Sequence, residues 1–486
     1  MPSRTALWPK NKLILFERVK LESNNFDDLR AELAGVVLKQ FVYVLCMWLV
    51  PILGVSAADW PQWRGPSADG ISLERDLPVR WDSEHNIAWK AHLPGLGTST
   101  PIVWGHLVFV TWQIGEAPIG EGPVAGPAKD FPGSPPARRS GAQRVRFGVQ
   151  AFDRTGGNVA WQYIFDAEGE LPPVHTMHNL ATPSCVTDGK LIYAWFGTGQ
   201  LVALSLNGKL AWKRHLGKEY SHFFVLWGHG SSPLLYKDRL ILLCDHRDAS
   251  YLLALDKTTG TELWKVDRGK ERRSYTTPVV IPGSGDRGDQ ILVNGKERID
   301  VYDFATGDLR WYVGQAVTLA LPCPVLHDGM LYVTRGFSSG PYSAMEAGGI
   351  GDASSRVKWE VKTGAPYIAS PLYYKGVMYL AGETGVVTAV DAADGMTLWK
   401  KRIGGIFSAS PVEADGKVYL LNEDGETVVL EAGRELKILA RNRLEERMLA
   451  SPAISGGQIF ERSDDHLFCI GKPPNKAAYR RNTPAH

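Results

Sequence analysis

The sequence predicts an all-β protein: an eight-bladed β-propeller of four-stranded antiparallel blades, its ring closed by an N-terminal strand. Three observations carry this. A strand–turn–strand unit, cleanest at 387–400, recurs along the chain. Each unit opens on a small residue and a proline, at Pro101, Pro183, Pro233, Pro278, Pro324, Pro371, Pro411 and Pro452. From Pro183 onward these lie ~40–50 residues apart, which suits four short strands per blade. Finally, the last unit lacks a fourth strand, while Asn86-Ile-Ala-Trp-Lys90 is a fourth strand with no unit before it. Pairing the two closes the ring and removes the open sheet edges that promote aggregation.

Residues 1–58 are an N-terminal extension that ends in an export signal. Phe41 to Val55 is apolar except for Pro51, is short for a membrane span, and runs into a small-x-small cleavage pattern before Asp59. Acids upstream (Glu17, Glu22, Asp27, Asp28, Glu32) do not suit a signal, so translation is expected to start near Val36 or Val37. Cys46 lies inside the apolar run, which argues against a lipoprotein anchor. A lead-in segment (59–85) follows, then the propeller (86–470) and a tail (471–486). The first blade carries a Gly- and Pro-rich insertion, 115–146, expected to be a flexible, solvated loop or a partner-binding arm.

Within each unit the residue choices have physical causes. The Asp of the turn (Asp153, Asp256, Asp303, Asp391) can accept from backbone N–H groups, and the following Gly supplies positive φ. Proline lacks an N–H, which is tolerated on an innermost, edge strand. The Trp that ends a unit (Trp89, Trp161, Trp212, Trp264, Trp311, Trp359, Trp399) is expected to dock one blade on the next, since a large ring buries much area there. Unit seven has no such Trp.

Composition narrows the function. Apolar residues make up 44% of the chain and mean hydropathy is −0.16, as in soluble globular proteins. The net charge of +2 gives no reason to expect a nucleic-acid partner. The five Cys are scattered and form no CxxC, so neither a disulfide framework nor a metal-binding spacing is indicated. No P-loop, nucleophile elbow or HExxH motif is present.

The unit (Ala/Val)-x-Asp-x-x-Thr-Gly-x-x-x-Trp resembles the pyrroloquinoline-quinone (PQQ) repeat over roughly residues 86–470. Trp60-Pro-Gln-Trp-Arg-Gly-Pro66 is similar to the lead-in of exported proteins of that family. The resemblance implies one of two roles. Quinoprotein dehydrogenases hold PQQ above the axis with calcium on Glu, Asn and Asp ligands, an Asp base and often an adjacent Cys pair. BamB-like scaffolds of outer-membrane assembly carry no cofactor. The adjacent Cys pair and the large roofing insertions are absent here.

The expectation is therefore an exported, non-catalytic scaffold of the periplasm or cell envelope. It binds protein partners as a monomer, with no cofactor, no catalytic or metal site and no membrane span once the signal is removed. A PQQ- and calcium-dependent oxidoreductase of the alcohol dehydrogenase type is the alternative. Residues just before the innermost strands should line one mouth of the axial channel. His178, Asn179, His229, Tyr367, Phe407 and Met448 are the candidates for that surface, polar on one side and apolar on the other. Imidazoles there (His175, His178, His222, His229) could hydrogen-bond at the rim or bind an anion or metal, with Asp245 and Asp248 near His246.

Overall fold

A computed structural model of the chain describes residues 59–118 and 144–472, apart from 176, 226, 286, 315, 318 and 337–339. The export signal, most of the 115–146 insertion and all but the first residues of the tail lie outside the described residues. No helix among the described residues is long and apolar enough to cross a membrane.

Eight antiparallel sheets form the eight blades of a propeller. Blades 1 to 7 are continuous in sequence: 102–166, 186–215, 234–269, 279–314, 325–361, 372–402 and 412–443. Blade 8 takes three strands from 453–470 and its outermost, Ile87–His92, from the start of the ring. That strand pairs antiparallel with His466–Ile470, from Ile87↔Ile470 to His92↔His466, so the chain closes the ring as its sequence predicts.

Strand chemistry follows position. Middle strands such as Arg239–Asp245 and Val377–Ala381 are buried on both faces and read as near-continuous apolar runs. Outermost strands such as Val159–Asp166 alternate, with one face against the next blade and one in water. The turn Asp residues cap as expected: Asp256 Oδ1 accepts from the N–H of Thr258 and Thr259, and Asp303 Oδ1 from Ala305 and Thr306.

The Trp of one blade lies on the turn Gly of the next. A Cβ at Gly157, Gly208, Gly260, Gly307 or Gly395 would sit 2.6–2.8 Å from the ring of Trp89, Trp161, Trp212, Trp264 or Trp359. The same indoles donate Nε1–H to carbonyls of that turn or its neighbourhood, as Trp89 does to Arg154 O at 2.7 Å and Trp161 to Leu206 O at 2.7 Å. Glycine is thus required twice, for positive φ and for the ring above it. Trp311 differs: it is fully buried and donates to Gln290 within its own blade. Trp399 packs on Tyr379 of its own blade. Blade 7 has Ala440 at the Trp position, and Trp81 of the lead-in replaces the missing ring by stacking on Tyr419, centroids 6.4 Å apart.

Around the axis runs a girdle of inter-blade hydrogen bonds. The backbone N–H of Thr100 donates to Ser184 Oγ, Ser184 to Ser232, Ser232 to Thr277, Thr277 to Cys323 Sγ, Cys323 to Ser370, Ser370 to Ser410, and Ser410 to Ser451, all at 2.9–3.1 Å. The small residue before the proline is therefore a stitch as well as a concession to crowding. The girdle corrects one register. In blade 2 the stitching residue is Ser184, followed by Cys185, and Pro183 lies one position before it. A side-chain acceptor, hydroxyl or thiol, and not the proline, is what this position requires.

The lead-in covers the downstream end of the axis. Trp60 exchanges backbone hydrogen bonds with Val103 of blade 1, and Pro61 O accepts from Thr187 of blade 2. Arg64, 1% exposed, donates to Asp69 O and to Pro371 O of blade 6. Ile71–Ser72 then adds a parallel strand to the innermost edge of blade 7, and Glu74 accepts from the N–H of Gly456 and Gly457 in blade 8.

Candidate functional site

At the opposite, upstream end the axis is open. The segments leading into the innermost strands, from Thr98 before blade 1 to Leu449 before blade 8, enclose a cavity of about 270 Å³. A larger, shallower depression of about 500 Å³ lies on the rim beside Arg80, Trp81 and Asn442. Its polar groups are already engaged: Trp81 N–H donates to Asn442 Oδ1 and Asn442 Nδ2 to Val79 O, fastening the lead-in, while Arg441 pairs with Glu426 within blade 7. The axial cavity is the better candidate, because all eight blades converge on it.

Two of the residues expected at the mouth, His178 and Tyr367, line this cavity. The others do not. Phe407 and Met448 are fully buried in blade cores, and their neighbours Ile406, Ser408 and Leu449 face the cavity instead. Successive side chains of an extended segment point to opposite sides, so an offset of one residue exchanges core for lumen. Asn179 is 4% exposed and its Oδ1 caps the Ala181 N–H, a local turn role. His229 sits below the mouth, its ring 4.2 Å from Trp195 and its Nδ1 3.2 Å from His246 Nε2. His222 lies at the exposed surface near Glu170. Asp245 is engaged by Arg268 rather than by histidine.

Burial disfavours the charged form of three imidazoles at this end of the axis. Burial pushes His178 down to about 4, helped by His175 beside it. Burial, with His246 and His178 nearby, holds His229 well below its ordinary value. Burial lowers His175 as well. The charged groups of the cavity are instead two carboxylates, Glu383 and Glu423. Each lies in the loop after the second strand of its blade, at equivalent positions in blades 6 and 7. Glu383 Oε2 accepts from the Tyr367 N–H at 3.1 Å, and Glu423 Oε1 accepts from the Ser408 hydroxyl. Burial raises the Glu423 carboxyl above its ordinary value, against the Ser408 hydrogen bond. Trp227, Tyr275 and Tyr367 form an aromatic corner, and Leu321, Ile406 and Leu449 add aliphatic side chains to the same lining.

These residues do not fit PQQ with calcium. PQQ is a tricarboxylate, and the described lining offers two further anions and neutral imidazoles but no Lys or Arg. Among the described residues no group of three or more His, Cys, Asp and Glu is placed to hold a metal ion. The cavity is also below the ~300–1,000 Å³ usual for sites of drug-sized ligands.

Solved structures similar in fold include the quinohemoprotein alcohol dehydrogenase from Comamonas testosteroni, at a TM-score of 0.56 and 12% identity over 88% of this chain and 82% of that one. The computationally designed Ika8 protein matches with a TM-score of 0.52 and 10% identity over 79% of this chain and 99% of that one. BamB from Moraxella catarrhalis matches with a TM-score of 0.49 and 17% identity over 70% of this chain and 90% of that one. At these identities the likeness concerns the fold alone. No curated protein is a significant match. The family described as "Outer membrane protein assembly factor BamB" matches residues 145–316, 297–436 and 383–470, more than half of the chain, and the chain belongs to that family of PQQ-repeat propellers.

Proposed function

We propose that this chain is an exported, non-catalytic scaffold that binds a protein partner in the cell envelope through its open axial mouth and carries no cofactor. The observation that supports this most is the charge of the mouth: two carboxylates among aromatic and aliphatic side chains, with no cationic side chain in the described lining. A surface of exposed apolar area rimmed by polar groups is what protein recognition uses. Membership of the BamB family points the same way. The alternative, a PQQ- and calcium-dependent alcohol dehydrogenase, has the fold likeness to recommend it but needs cations where the mouth has anions.

Photo-crosslinking in cells tests the reading. A crosslinking residue at Leu449, in the mouth, is expected to trap a discrete partner adduct. One at Leu73, 89% exposed on the lead-in side, is expected to trap none. The same adduct from both positions, or none from Leu449, would sink the proposal.

A further inference from the structure

The axial cavity combines two features that general protein binding does not explain. The first is its aromatic corner. Trp227 stacks on Tyr275, centroids 6.1 Å apart and planes at 23°, and meets Tyr367 edge-on at 6.3 Å and 85°. The rings come from the entries to blades 3, 4 and 6, so the corner exists only in the assembled ring. Aromatic faces carry partial negative charge and attract cations held against them.

The second is the pair Glu383 and Glu423, which faces the same space. Glu423 is only 9% exposed. Arg447 acts on it electrostatically, but that guanidinium is already bound to Asp464 through two hydrogen bonds, at 2.8 and 3.1 Å. A buried carboxylate without a cation of its own is costly, and a bound cation would remove that cost.

We propose that the axial pocket receives the ammonium group of a lysine side chain presented by the partner protein, the rings of Trp227, Tyr275 and Tyr367 and the carboxylates of Glu383 and Glu423 being its recognition elements. This rests on the scaffold reading above. Three arguments narrow the ligand. A cavity of about 270 Å³ takes one side chain rather than a cofactor. Each carboxylate has one oxygen already committed, Glu383 to the Tyr367 N–H and Glu423 to Ser408. A guanidinium fork seeks both oxygens of one carboxylate, whereas an ammonium can give a single N–H to each of two. The aliphatic side chains of the lining, Leu321, Ile406 and Leu449, suit the methylene stem of lysine.

The test is calorimetric titration of the full chain with Nα-acetyl-lysine methylamide, its Nε-acetylated form and the arginine analogue. The lysine probe should bind saturably and the neutral, acetylated probe roughly tenfold more weakly. Glu383→Gln and Glu423→Gln keep side-chain shape and should each weaken the lysine probe several-fold with the melting temperature unchanged. Equal binding of the acetylated probe, unchanged binding in both variants, tighter binding of the arginine analogue or no saturation in the native chain would each overturn the proposal. The Leu449 crosslink separates this from the scaffold reading. An adduct undiminished in the Glu383→Gln/Glu423→Gln chain rejects the lysine and leaves the scaffold standing, while its absence from the native chain rejects the scaffold.

Discussion

Replacing Arg268 with alanine is expected to lower folding stability by about 3–5 kcal/mol, read as a fall in the denaturation midpoint. Arg268 is the next-to-last residue of the outer strand of blade 3, Glu262–Gly269, and is 1% exposed at its side chain. Its Nε and Nη2 grip both oxygens of Asp245 in the same blade at 2.7 and 3.0 Å, and its Nη1 reaches Asp300 of blade 4 at 3.0 Å and the Tyr302 hydroxyl. Burial works against its charge, but Asp245, Tyr302 and Asp300 together raise the guanidinium above its ordinary value. Alanine would strand Asp245, whose side chain is wholly inaccessible, while Asp300 keeps Arg298. Pairing Arg268→Met with Asp245→Leu should recover much of the loss, because it removes the stranded charge as well as its partner. A single substitution that left the midpoint in place would show that the blade 3–4 seam does not depend on this cluster.

Trp60→Ala should cost a similar ~3–5 kcal/mol, the range for deleting a buried aromatic. Trp60 is 0% exposed within the cluster that joins blades 7, 8 and 1, and a Cβ on Gly65 would lie 2.8 Å from its ring. Its Nε1–H has no partner among the described residues, so the loss is of packing, not of a hydrogen bond. Trp60→Phe should therefore cost markedly less. Limited proteolysis reads the consequence: the alanine variant should be cut within 59–85 under conditions where the native chain and the phenylalanine variant resist. Resistance equal to the native chain would mean that the lead-in is held without this anchor.

Much of this was legible in the sequence because the propeller repeats its chemistry. Asp256, Gly260 and Trp264 recur with their neighbours at fixed spacing, and each has a local job that a sequence displays: a cap, a positive φ, a ring to bury. The strand at Ile87–His92 betrayed the closure by having no unit before it. Features that depend on partners elsewhere in the ring were hidden. Ser184 is the stitch of blade 2, but Pro183 beside it imitates the motif, and only the hydrogen bonds from Thr100 to Ser184 and from Ser184 to Ser232 separate them. Phe407 and Met448 lie one residue out of phase with the lumen, and no composition rule sets that phase. Glu383 and Glu423 enter the mouth from loops 16 and 15 residues beyond their partners Tyr367 and Ser408, so the entry segments alone did not name them. Aligning the loops after the second strands of blades 6 and 7 would have found them. Trp81 was concealed most deeply, since it completes blade 7 from outside the repeat.

The most direct measurement is a titration of the purified full chain with PQQ and calcium together, followed by a dye-linked assay with primary alcohols. An anionic mouth without a described cationic side chain should neither take up the tricarboxylate in stoichiometric amount nor gain alcohol-oxidising activity. Saturable binding at one PQQ per chain, with calcium-dependent dye reduction, would contradict the scaffold account and make this propeller an enzyme.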